Sequence, residues 1–296
     1  MACYLPTGRY MLPIWCSLDE AADSVPDGAW VAPGGFMLGR APIALVLALI
    51  RAGRRELRML SLPNPLPAEL LVAAGAAARV ELLFGALTLA NRVRPMPALK
   101  RAIEGGALAW VEHDGYRVVQ RLRAAAMGLP FLPAPDADVS ELSTLEPPAY
   151  ATDPFTGARV PVERAFHPDV ALVHAHAADD AGNLYIEDPT TDLLVIAAAH
   201  RVIASAEVRV RALPRVTVPA FQVERVCEAP GGAWPTGCAG QYPHDEPALL
   251  DYLAQAEAGQ GSAWIAAAHA RAPGAPSGPE LASPKRPTPE LPRGAA

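Results

Sequence analysis

The feature that most restricts the fold is a regular alternation over the first half of the chain. Short apolar segments suited to strands, "GAWVAP", "ELRMLSL", "RVELLFGAL" and "LAWVEH", are separated by the Ala/Leu-rich helical stretches "PIALVLALIRAG", "AELLVAAGAA" and "PALKRAIEGG". Strands joined through helices pair in parallel, because a crossover of that length returns the chain to the same end of the sheet. The alternation therefore predicts an α/β protein with a largely parallel sheet. Pro42 suits a first helical turn and Gly53 the cap at the other end of the same helix. "YRVVQRLRAAAMGLPFLPAP" reads as a further helix that stops at Gly128. The Pro-, Asp-, Ser- and Thr-rich stretch from Asp136 to Glu163 reads as a long loop or excursion. Beyond it, "PDVALVHAHAAD" and "LLVIAAAHRVIASAEVRV" read as buried strands flanking or containing a helix.

With 296 residues, 51% of them hydrophobic and 19% charged, the chain can bury a sizeable core. A net charge of −6 and no dense Lys/Arg tract exclude an electrostatic basis for binding nucleic acid or an anionic membrane. The run "IALVLALI" is far shorter than a membrane span, and the N-terminus has no basic segment leading into an apolar core, so a cytoplasmic location is expected. The four cysteines, Cys3, Cys16, Cys227 and Cys238, form no C-x-x-C pair and read as buried thiols. Residues 1–14 are expected as an extension, 15–265 as the folded domain and 266–296 as a tail. From Pro273 onward that tail holds too few large apolar residues to offset ordering entropy.

Gly34-Gly35-Phe36 stands between the first strand and the first long helix. Glycine permits positive φ and close approach of main chain to a ligand, but a Gly-Gly pair is equally a tight turn, and both readings stand. The segment is neither G-x-G-x-x-G nor a P-loop, so nucleotide binding is not supported. His174 and His176 alternate on a strand near Asp179 and Asp180, yet no third ligand falls at credible spacing, and no metal is expected. Glu112 and Asp114 lie where a strand finishes, the end at which open sheets bind ligands. Glu112 is therefore an acid/base candidate as well as a solvated strand end. No G-x-S-x-G elbow occurs, and Cys238 lacks the context of a cysteine nucleophile.

Five ordered stretches together resemble the A (α) subunit of family I coenzyme A transferases, in the glutaconate CoA-transferase-like branch. Asp27-Gly28, the run to Gly34-Gly35-Phe36 and Pro42 follow the family's first signature. "GRAPIALVLALIRAG", "RLRAAAMGLPFLP", "DPFTGARVPVERAFHPDVALVHAHAADDAGN" and "VCEAPGGAWPTGCAGQYPHDE" continue the likeness from about residue 20 to 255. Departures are Pro33 in an apolar place, Arg40 where many members have glycine, His176-Ala177 for a commoner Gln-Arg pair, and "DADV" at 136–139.

The resemblance implies a three-layer α/β/α sandwich paired with a B subunit, as a heterodimer or an α2β2 assembly, with the active site at the A/B interface. It implies acyl-CoA and a carboxylic acid as substrates, no cofactor, and CoA transfer through a glutamyl-CoA thioester. A carboxylate can attack an acyl-CoA carbonyl and then take up the thiolate. That glutamate belongs to a Glu-x-Gly segment of the B subunit. Here only Glu104-Gly-Gly and Glu257-Ala-Gly come near, and both close helices. Gly34, Gly35, Phe36 and Arg40 are expected to shape the substrate-binding wall, with Glu112 as the A chain's acid/base or orienting group. A relative of the same two-subunit form, which opens a steroid-derived ring on CoA with an A-chain carboxylate, gives the alternative of hydrolysis through Glu112. A noncatalytic partner subunit is the third reading.

Overall fold

The computed structural model describes residues 12–134, 141–142 and 147–269. Its first half runs β1 (Ile14–Trp15), α1 (Leu18–Asp23), β2 (Trp30–Pro33), α2 (Ile43–Arg51), β3 (Leu57–Ser61), α3 (Pro65–Ala73) and β4 (Ala77–Leu82). Then follow β5 (Ala86–Leu89), β6 (Arg92–Pro95), α4 (Pro97–Glu104), β7 (Ala109–Glu112) and α5 (Gly115–Ala126). The second half opens with β8 (Phe131–Pro133), β9 (Ala149–Thr152), β10 (Arg159–Arg164), β11 (Val170–Ala175), β12 (Ala177–Asp179) and β13 (Leu184–Tyr185). It closes with α6 (Asp192–Ala198), β14 (Arg201–Ala206), β15 (Arg209–Val210), β16 (Arg225–Glu228), α7 (Glu246–Glu257) and α8 (Gly261–His269).

Eight strands form one sheet in the order β1-β16-β14-β11-β2-β3-β4-β7, and every neighbouring pair is parallel. Buried on both faces, these strands are apolar at successive positions rather than at alternate ones. Leu57 and Met59 of β3, with Val170 and Leu172 of β11, enter one core under α1–α4, α7 and α8. Leu60 of β3, with Ala171 and Val173 of β11, enters a second core under α5 and α6. The result is the three-layer α/β/α sandwich with a parallel sheet.

Three sequence readings change. "RVELLFGAL" is not one strand: its first residues belong to β4, which ends at Leu82, and its last residues begin the antiparallel hairpin β5–β6, turned at Ala90 and Asn91 in left-handed conformation. Part of the stretch from 136 to 163 is ordered sheet, since β8, β10 and β9 pair antiparallel as a separate three-stranded unit. Ordered helix also continues past 265, to His269. The N-terminal extension up to residue 11, the 136–139 departure and the tail from 270 lie outside the described residues. No helix among the described residues is long and apolar enough to cross a membrane.

Candidate active-site wall at the sheet's switch point

The sheet grows outward in two directions from its centre. From β2 it adds β3, β4 and β7 on one side; from β11 it adds β14 and β16 on the other. The chain leaving β2 turns to α2 on one face, and the chain leaving β11 reaches α6 on the other. Open α/β sheets hold ligands where such connections diverge, beyond the carboxyl ends of the strands. Gly34-Gly35-Phe36 begins at that point.

The loop from Gly34 to Arg40 is bound on almost every polar group. Its amides at 34, 35, 36, 37, 39 and 40 donate to Leu172 O, Asp192 Oδ1, Gly39 O, Pro63 O, Phe36 O and Gly237 O. Its glycine carbonyls are taken as well, Gly34 O by Asn64 Nδ2 at 2.8 Å and Gly35 O by the Thr191 hydroxyl at 2.7 Å. Gly35, Met37 and Arg40 all adopt left-handed φ, at 79°, 50° and 51°. Left-handed φ is unfavourable for Met and Arg and persists because these bonds over-determine the loop.

One carboxylate organises the arrangement. Asp192, fully buried at the first position of α6, accepts from Gly35 N at 3.1 Å and from Arg40 Nη1 and Nη2 at 3.2 and 2.9 Å. Arg40 is itself buried, and its guanidinium also donates to His174 O at 3.2 Å and to Asp188 O. The Arg40 side chain thus ties the loop after β2 to the end of β11 and the start of α6. A Cβ on Gly34 would run into Asp192 Oδ1, and one on Gly35 would lie 2.6 Å from the carbonyl oxygens of Gly39 and Arg40. Both glycines are required by the protein's own packing. Phe36 remains 44% exposed and is the part of the wall that faces outward.

Behind the wall, His174 and Ser205 are registered neighbours on β11 and β14. His174 bonds Ser205 Oγ through Nδ1 at 2.8 Å and Glu207 Oε1 through Nε2 at 2.6 Å. Glu207 also accepts from Gly231 N at 2.7 Å and from the Tyr242 hydroxyl. Burial alone would raise the Glu207 pKa, but the His174 and Tyr242 hydrogen bonds hold it below the usual carboxylate range. Burial pushes the neighbouring Tyr242 and Cys238 groups up, so both stay protonated. His174, Glu207 and Cys238 place one ligand atom each within 4.8 Å of one another. Both ring nitrogens of His174 already have protein partners, which leaves this cluster a buried hydrogen-bonded network.

His176 turns elsewhere, bonding Ala239 O at 3.0 Å and standing beside the exposed carboxylate of Glu187, with Nε2 and Oε2 3.9 Å apart. Burial and the Arg40 charge lower its pKa. Asp179 closes a turn onto Asn183, and Asp180 pairs with Arg209, so neither joins the histidines.

Glu112 is exposed at the end of β7, with β4 and β3 between it and β2. At ordinary strand spacing that is roughly 14 Å along the sheet from the loop. The ordered polar network nearby belongs to its neighbour: His113 Nε2 meets Glu81 Oε2 at 2.8 Å, and Arg79 and Arg121 flank the same carboxylate. Burial opposes ionisation of Glu81, but the His113 bond and the Arg121 charge bring it down to about 2. Glu104 and Glu257 are the last residues of α4 and α7, as their glycines suggest.

Asp192, Glu207, Tyr242 and Asn64 carry the site's architecture without a sequence signal. "TTDLLV" looks like any helix start, and its partner in the loop lies more than 150 residues earlier.

The sheet and its two helical layers match the fold of the solved glutaconate CoA-transferase of Acidaminococcus fermentans, with a TM-score of 0.77 and 24% identity over 86% of this chain and 87% of that chain. The profile of the coenzyme A transferase family matches residues 16–229, and this chain belongs to that family. The A (α) subunit of the 3-oxoadipate CoA-transferase of Pseudomonas knackmussii is 30% identical, over 77% of this chain and 83% of its own. An uncharacterized protein of Archaeoglobus fulgidus is 32% identical over 86% of this chain, which spans only 58% of that relative's length. Among solved structures, a variant of the decarboxylase AibA/AibB matches with a TM-score of 0.86 and 65% identity, over 88% of this chain and 99% of that chain.

Proposed function

We propose that this chain is the A subunit of a two-subunit enzyme that acts on an acyl-CoA thioester at its interface with a B subunit. The observation that carries the reading is the clamped Gly34-Gly35-Phe36 loop at the switch point. It supplies a rigid wall with an outward aromatic ring and brings no carboxylate nucleophile of its own. A chain so built positions substrate and excludes water, while the reacting group comes from the partner.

Two reactions suit that division of labour. CoA transfer between carboxylic acids, with a B-chain glutamate as carrier, is supported by the family match and by the likeness to the 3-oxoadipate CoA-transferase. Decarboxylation of an acyl-CoA bearing a second carboxylate is favoured by a specific observation, the 65% identity to the AibA/AibB decarboxylase along nearly its whole matched chain. That identity is about twice the one to the transferase, so decarboxylation is the reaction to assay first. In it, the bond to the departing carboxylate breaks, its electron pair passes toward the thioester carbonyl, CO2 leaves and a proton is taken up at carbon. Ring-opening hydrolysis through Glu112 is not favoured by the geometry, since that carboxylate stands at the sheet edge away from the loop.

The test is to co-express this chain with a candidate B chain and to supply a panel of dicarboxylic acyl-CoA thioesters. CO2 release without an acceptor acid gives decarboxylation. CoA transfer to an added carboxylate, with a borohydride-trapped B-chain glutamate, gives the transferase. No turnover of any thioester by a stable complex would overturn the enzymatic reading.

A further inference from the structure

We infer that Cys16 and Cys227 are a reversible thiol–disulfide pair, a modification site for peroxides or small disulfides that fastens the sheet's first edge strand to its neighbour. Strands β1 and β16 run parallel, with Trp15 opposite Val226 and Cys16 N bonded to Val226 O at 3.0 Å. Continuing that register by one residue sets Cys16 beside Cys227. Residues paired across parallel strands point to the same face, with Cα atoms about 5 Å apart, inside the range a disulfide spans. The two Sγ atoms already lie 3.8 Å apart, so a change of side-chain torsion closes the bond without moving a strand.

The two cysteines differ in access, so an oxidant meets one of them first. Cys16 is half-buried and within reach of a small oxidant, whereas Cys227 is completely buried. Hydrogen bonding with Cys227 and the proximity of Arg225 lower the Cys16 thiol to about 7, against burial and the Glu20 charge; Cys227 is held up by the same hydrogen bond and by burial. The thiolate is the nucleophile toward peroxide. Cys16 thiolate attacks one peroxide oxygen and, with a proton, releases water and becomes a sulfenic acid. The Cys227 thiol then attacks that sulfur, the S–S bond forms and a second water leaves. Two thiols and one hydrogen peroxide thus give one disulfide and two waters. A small thiol reverses the step through a mixed disulfide.

The site matters because β1 has only two residues. It enters the sheet through Ile14 N to Glu224 O and Cys16 N to Val226 O, and α1 begins two residues after Cys16. A covalent bond here ties β1 to the strand that leads into the Gly231 turn. It also joins residues 211 positions apart, a large restriction of the unfolded chain.

The full chain is treated with hydrogen peroxide and, separately, with oxidised glutathione, then digested without reduction and analysed by mass spectrometry. The expected product is a Cys16–Cys227 linked peptide pair lacking two hydrogens, restored by dithiothreitol, with a Tm higher by about 5 °C in the oxidised form. Cys16→Ala and Cys227→Ala each remove both the link and the Tm rise. The wild-type peptide map needs neither variant, so poor folding of Cys227→Ala leaves the result readable. A Cys16 sulfinate or glutathione adduct with Cys227 unmodified, linkage of Cys16 to Cys3 or Cys238, or no thiol loss at all would overturn the assignment.

Discussion

The Arg40–Asp192 pair is the point at which the wall can be tested as a unit. Asp192→Asn keeps the shape and an acceptor for Gly35 N but leaves the Arg40 guanidinium buried and unpaired. Breaking a buried pair from one side costs about 3–5 kcal/mol. Two carbonyls, His174 O and Asp188 O, still accept from Arg40, which places the expected loss near the lower end. Arg40→Met strands the Asp192 carboxylate in the opposite sense at a similar cost. In the double variant neither charge remains, and the substituted amide side chain still accepts from Gly35 N. If each single change costs about 3 kcal/mol, the double should cost about 3–4 rather than about 6, a coupling of about 2–3 kcal/mol. Urea denaturation reads this directly: with a slope of about 3 kcal/mol/M for a chain of this length, each single variant lowers the midpoint by about 1 M, and the double by little more. The catalytic parameters of the complex with the B subunit provide the second readout, because loss of the clamp frees the loop as well as the charge. Additivity of the two changes to within about 0.5 kcal/mol would refute the claim that this pair holds the wall.

Other perturbations check separate links. Gly35→Ala imposes a Cβ in left-handed backbone against two carbonyl oxygens, and should cost at least about 1–3 kcal/mol by thermal unfolding while depressing turnover; an unchanged Tm would mean the loop relaxes freely. Glu81 titrates at about 2 in the folded protein against an ordinary 4.5, so its stabilisation of roughly 3 kcal/mol is complete above about pH 4.5 and lost as pH falls toward 2. Glu81→Gln should therefore flatten the acid limb of the stability profile, and an unaltered slope would contradict the assigned network. Exposed Glu112→Gln should leave stability within about 0.5 kcal/mol and turnover within about threefold. A hundredfold fall in kcat with unchanged stability would instead make it the acid/base group.

How much of this was legible in the sequence depended on the range of the determining contact. The strand–helix rhythm is local, and it placed β2, β3, β4 and β7 in a parallel sheet with α2, α3 and α4 between them. Gly34-Gly35 was visible as a special backbone position, but its cause was not: the object each glycine makes room for is a side chain from α6 or a carbonyl of its own loop. Periodicity carries no information about Asp192, whose role depends on the adjacency of β2 and β11, two strands separated by most of the first half of the chain. The β5–β6 hairpin has no sequence signal because Ala90-Asn91 lacks the glycine that ordinarily announces such a turn. The strands at 149–164 were hidden by Pro and Asp, which a hairpin with an exposed tip accommodates.

The glycine loop spends its amides on its own chain. A surface finished in this way has few dangling donors to reorganise when another protein closes over it, so most of the ordering cost is met during folding and not at association. Its geometry is then independent of what it meets. On the reading proposed above, the same A-chain face serves equally a partner carrying a carboxylate nucleophile or a partner that promotes loss of CO2.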